Sequence, residues 1–356
     1  MTTAHKRVLY ALFSLTLLLI LLMAACDLLS STRLLPDSVI PAEMATVTSA
    51  LRNMALMLGL LAGGVTIALN SDPQPPSTNL LRILWFHSRH DGLLRVWASG
   101  LLVVIVSSLL AWRFEVAWWL RLTVGYMLMA LPVAFWLMLR VSNVQRPWVL
   151  RGLRSTVIML TVAGLLLSLA QVTSLSLLLL WVPIAYGIFA AHSYRALSDR
   201  NPTRTLTAPW LVIGVLLLIL MSVLAGVLSL ASVQPYLVDT TWPTLQSDLM
   251  YYALIAWVLA LLNQGAAELR GQNRRVTGYV PLWTISAGMF GGSFALALMS
   301  IVQSYGLHIY GIPAETVAQS VLPLAFFVVG GKLLVAIGLG IYGVQFQVRR
   351  VRIRET

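Results

Sequence analysis

Runs of about twenty consecutive apolar residues, the length that crosses the hydrocarbon of a bilayer as a helix, recur along the whole chain. Ten are counted, at 8–29, 47–69, 94–112, 118–139, 155–172, 174–192, 209–231, 249–267, 281–303 and 319–345. A backbone in lipid must satisfy its own N–H and C=O groups, and a long apolar run does so as a helix. The expected fold is therefore all-α, a polytopic bundle of ten transmembrane spans in one membrane domain. Residues 155–192 would make a helix of about 57 Å if unbroken, too long for one crossing. The polar break Gln171-Val-Thr-Ser174 supplies the turn between two spans. Of the 356 residues, 59% are hydrophobic and 10% charged, which excludes soluble enzymes and disordered chains.

The net charge of +12 is a matter of topology and not of nucleic-acid binding, because the charges sit in loops. Nineteen Lys and Arg residues fall on the side holding both termini, in clusters such as Arg140, Arg146, Arg151 and Arg154. Arg33, Arg52, Arg113 and Arg121 fall on the other, and Lys332 lies inside a span. Positive loops stay inside, so both termini are expected in the cytoplasm of a bacterial-type inner membrane, where the basic loops meet anionic headgroups. Asp27, Asp37, Glu43, Glu115, Asp239, Asp248 and Glu315 are read as outside, with no acid in mid-membrane. That placement weighs against proton pumping. Trp118, Trp119, Trp148, Trp242, Tyr251, Tyr252, Tyr279, Trp283, Tyr305 and Tyr310 read as interface markers.

Cys26 is the one cysteine, too few for a disulfide or a thiolate metal cage. It reads as a small packing residue, with Leu-Met-Ala-Ala-Cys26 as an alternative lipoprotein processing site. Gly288-Met-Phe-Gly-Gly292 is a GxxxG match, and the last span carries Gly330, Gly331, Gly338, Gly340 and Gly343. Small residues let helices approach closely in lipid, so these two spans should pack together or against a partner subunit. Pro183 and Pro323 lie inside spans.

No nucleotide loop, catalytic triad or catalytic carboxylate pair is found, and no enzyme activity of the chain's own is indicated. No metal or cofactor is expected. Among the histidines, His5 reads as solvated, and His308 as a surface residue or a contact for a periplasmic partner. His87 and His90 read as an interfacial basic cluster. His192 with His87 or His90 could ligate a haem b, the alternative cofactor reading. Lys332 is the anomaly, about 20 Å from either end of its span, too deep to snorkel to water. It must face the protein interior or a partner, and Asn263 and Gln264 are the expected partners within the chain. Arg52 is read as snorkelling outward.

The C-terminal third, with Trp283-Thr-Ile-Ser-Ala-Gly288, Met299-Ser-Ile-Val-Gln303, Pro323, Gly330-Gly331, Gly338 and a basic tail, resembles the last two helices of haem–copper oxidase and nitric oxide reductase subunit I. That family holds its low-spin haem with histidines on its second helix and on a helix before the final pair. Here the second span reads Ser49-Ala-Leu-Arg52-Asn-Met-Ala-Leu56 and the eighth Gln246-Ser-Asp-Leu-Met-Tyr-Tyr252, without histidine, and the copper ligands have no counterpart. The resemblance implies a non-catalytic integral subunit of a respiratory or photosynthetic electron-transfer complex, partnered by other membrane subunits. The alternative is a transporter or permease with a midplane polar site around Lys332.

Overall fold

The computed structural model describes residues 3–35, 41, 43–70, 91–110, 125–142, 206–228, 230, 232–269 and 276–348. The described residues are all-helical, with no strand. Eight α-helices are described: α1 (Thr3–Ser31), α2 (Glu43–Leu69), α3 (Asp91–Leu110), α4 (Tyr126–Ser142), α5 (Thr207–Leu228), α6 (Trp242–Leu269), α7 (Tyr279–Ser304) and α8 (Ala314–Val348). A five-residue π-helical turn, Tyr305–Ile309, follows α7. Six helices are long and apolar enough to cross a membrane, α1, α2 and α5 to α8, and the chain is membrane-embedded. They coincide with six of the expected spans. The helices α3 and α4 carry shorter apolar stretches, Leu93–Leu109 and Tyr126–Met138. The expected spans at 155–172 and 174–192, with Pro183, lie outside the described residues.

The bundle is organised around α6, whose side chains from Leu249 to Ala267 are buried. α5, α7, α2, α4 and α1 all touch it. Large apolar side chains point outward instead, among them Phe294 at 67% exposure and Phe327 at 70%, as expected where the solvent is lipid and burial is not demanded of every apolar group. α1 is part of this core: Leu9, Phe13, Leu17, Ile20 and Met23 are buried. Cleavage before Cys26 would remove all five. Cys26 itself is a half-buried free thiol.

The closest helix pair is α7 with α8, as the glycine pattern predicts. A Cβ on Gly288 would fall 2.5 Å from the Gly331 carbonyl oxygen, and one on Gly338 would fall 2.6 Å from Ile285 Cγ1. Glycine alone permits this approach, which maximises dispersion contact where no hydrophobic drive exists between helices. Gly292 faces Gly331 as well, whereas Gly330 and Gly340 meet open space. α7 and α8 thus form a hairpin zipped on one face. α8 docks against α1 and carries Pro323 in its largely exposed first part.

Candidate functional site

Four charged side chains from four helices meet inside the bundle: Asp27 of α1, Arg52 of α2, Asp248 of α6 and Lys332 of α8. Asp27 Oδ1 accepts hydrogen bonds from Arg52 Nη2 at 2.5 Å and from Lys332 Nζ at 2.9 Å. Asp248 Oδ1 lies 2.8 Å from Arg52 Nη1, and its Oδ2 lies 3.2 Å from Lys332 Nζ. Each acid bridges both bases and each base bridges both acids, so the quartet is a closed ring of alternating sign with no net charge. Its members are 11%, 7%, 3% and 10% exposed at the side chains of Arg52, Asp27, Asp248 and Lys332. Burying one such charge alone is prohibitive, and mutual compensation is what permits four.

Helix direction sets the ring. Asp27 is about 6 Å from the end of α1, Asp248 about 9 Å from the start of α6 and Arg52 about 14 Å from the start of α2. These ends lie on one side of the bundle, so α1 runs opposite to α2 and α6. α8 is long enough to bring its mid-helix Lys332 to the same level. The Arg52 guanidinium also stacks over the Tyr251 ring, its Cζ 5.0 Å from the centroid. The next residue, Asn53, accepts at Oδ1 from the hydroxyls of Tyr251 at 3.3 Å and Tyr126 at 3.4 Å. Tyr252 is buried as well.

These contacts correct several expectations. Asp27 and Asp248, one to two turns from their helix ends, are buried and paired inside the bundle and not solvated in a loop. Arg52 does not snorkel outward but turns inward to both. Tyr251 and Tyr252 are core residues and not interface markers. Lys332 is interior, as its depth required, but its partners are the two carboxylates and not Asn263 or Gln264. The missed signal was charge balance: a lysine that cannot reach water needs an acid at its own level, and the charges inside the first and second apolar segments are Asp27 and Arg52, while Asp248 directly precedes the eighth.

Asn263 and Gln264 serve the opposite end of α6. Asn263 Nδ2 donates to the Leu259 carbonyl at 2.9 Å and to the Tyr342 hydroxyl at 3.0 Å, and Thr277 Oγ1 donates to Asn263 Oδ1 at 3.0 Å. Gln264 Nε2 donates to Glu268 at 3.1 Å and accepts from Thr207 at 3.3 Å. Tyr342 also donates to the Leu259 carbonyl at 3.3 Å. Tyr342→Phe should therefore lower stability by about 1 kcal/mol, the usual net value of a buried hydrogen bond. Thermal unfolding in detergent checks this, with the exposed Tyr305→Phe unchanged as a control.

His308 Nε2 lies 2.8 Å from the Val238 carbonyl and its ring meets Tyr236 edge-on. His5 is exposed. His87, His90 and His192 lie outside the described residues, and among the described ones no group of three His, Cys, Asp or Glu residues could hold a metal. No protein-family model matches the chain, and no curated protein matches it significantly.

Proposed function

We propose that the chain is an ion-coupled transporter of a bacterial-type plasma membrane, crossing it ten times with both termini cytoplasmic, with the Asp27–Arg52–Asp248–Lys332 ring as its polar centre. The ring is the observation that carries this reading. Ionisable side chains inside a bundle are costly and mark ion or substrate paths. With the termini inside, the ring sits in the outer half of the bundle. Below it α6 presents an apolar wall from Ala253 to Leu262 before reaching Asn263. A carrier needs such a wall on one side of its site at any moment.

Two features support the topology. The loops carry nineteen basic residues on one side against four on the other. The end of α4 and the start of α5 lie at the same end of α6, through Arg140 near Glu268 and Thr207 near Gln264, which is compatible with two crossings between them. Proteoliposomes of the full chain should dissipate an imposed pH or sodium gradient faster than protein-free vesicles, and Asp248→Asn should remove the difference. A wild-type protein that leaves both gradients at the protein-free rate refutes the transport reading.

A second reading is an integral subunit of a respiratory or photosynthetic electron-transfer complex. The glycine-packed α7–α8 pair favours it, being the stretch on which the likeness to haem–copper oxidase subunit I rests. Purification in mild detergent tests it: companion membrane subunits support it, and a chain that runs alone argues against it.

A further inference from the structure

We infer that the ring binds a small zwitterion, an α-amino acid that lies along the Lys332–Asp248 edge with its carboxylate on Lys332 and its primary ammonium on Asp248. The inference takes its purpose from the transport reading and names the solute class for the same site. Charge decides the class. The quartet is two acids and two bases, so a bare cation or a bare anion brought to it adds one unmatched charge to the interior. A solute carrying one charge of each sign adds none. Each of its ends faces a side chain of opposite sign, and all four side chains keep the partners they have.

The edge is chosen by its hydrogen bonding. Asp27 Oδ1 accepts hydrogen bonds from both Arg52 and Lys332. Asp248 Oδ1 is buried and accepts none, although Arg52 Nη1 lies 2.8 Å away. A buried carboxylate oxygen without a donor is costly, so an N–H brought to it is correspondingly favourable. On the same carboxylate, Oδ2 lies 3.2 Å from Lys332 Nζ, the longest of the ring's four contacts. In an α-amino acid the ammonium nitrogen and the nearer carboxylate oxygen are about 3 Å apart, being attached through one carbon. The solute's two charges therefore match the spacing of the edge with signs reversed. Lys332 stays paired with Asp27 at 2.9 Å, and α8 stays docked against α1. The side chains of Arg52 and Lys332 keep 11% and 10% of their surface, so a small molecule touches the ring. The edge lies one to two turns below the bundle end at which α6 begins.

The test uses the full-length protein in detergent, with thermal midpoints measured against added glycine, alanine and leucine. At saturation at least one of them should raise the midpoint by several degrees. Acetate, methylammonium, acetamide and glycine betaine at equal concentration and ionic strength should not, because each lacks one of the two charges or the N–H donor. A midpoint indifferent to all three amino acids overturns the inference, and so does an equal shift with any of the four controls. The Asp248→Leu/Lys332→Met double variant removes the edge, stays neutral and should lose the response; a double variant that keeps it overturns the site. Should that protein fail to fold, Asp248→Glu takes its place, keeping all four charges but displacing one carboxylate. Its affinity for the radiolabelled amino acid that shifts the wild type should fall by about tenfold or more, and an unchanged affinity overturns the site. Amino-acid binding without gradient dissipation in vesicles would keep the site and remove the transport reading, and dissipation without binding would do the reverse.

Discussion

Asp248→Leu should destabilise the protein by about 3–5 kcal/mol, because it leaves Arg52 and Lys332 sharing Asp27 with one positive charge unmatched in the interior. Adding Lys332→Met should restore most of that loss, to within about 1 kcal/mol of the wild type, since apolar replacement of a whole buried pair is often neutral. The surviving Asp27–Arg52 pair, at 2.5 Å, remains compensated. Midpoints of thermal unfolding and the monodisperse fraction in detergent read the effect. The decisive quantity is the difference between the double variant and the sum of the singles, which is large only for side chains acting as one unit. Additive losses would mean that the four charges are neighbours without being a ring.

The second large effect is expected at the helix hairpin. A Cβ on Gly331 would lie 2.6 Å from Gly292 Cα and 3.0 Å from the Gly288 carbonyl oxygen. Both obstacles are backbone, so no rotamer change relieves them. Gly331→Leu should force α7 and α8 apart and cost about 3 kcal/mol, the upper range for overpacking. Its neighbour Gly330 has nothing within 4 Å of the same position, so Gly330→Leu should stay within about 0.5 kcal/mol of the wild type. Unequal melting of these two variants, which differ by one position, reports the contact directly. Equal melting would place the tight face elsewhere.

The bundle's class and the α7–α8 contact were legible in the chain because both rest on local pattern. Twenty apolar residues in a row specify a span, and glycines spaced along two consecutive spans specify which faces approach. The ring was not legible for the converse reason. Arg52 and Asp27 are 25 positions apart, and Lys332 and Asp27 are 305 apart, so their meeting depends on which helices pack together. Depth misled as well. Asp27 and Asp248 sit one to two turns inside their helices, where an apolar window merges with its polar flank. Asn263 was assigned to Lys332 on polarity alone, yet it meets Tyr342, about 15 Å further along α8. Lys332 itself was identified correctly as interior, because no helical offset brings a mid-span ammonium to water.

The length of α8 has a consequence of its own. Its 35 residues extend over about 52 Å, and the mainly apolar part from Val321 to Val348 over about 40 Å, against a hydrocarbon layer of about 30 Å. Such a mismatch is relieved by leaning the helix or by thickening the membrane around it. Acyl-chain length is therefore a mechanical variable for the segment that bears Lys332, and the same polypeptide would hold this segment at different inclinations in short-chain and long-chain lipid.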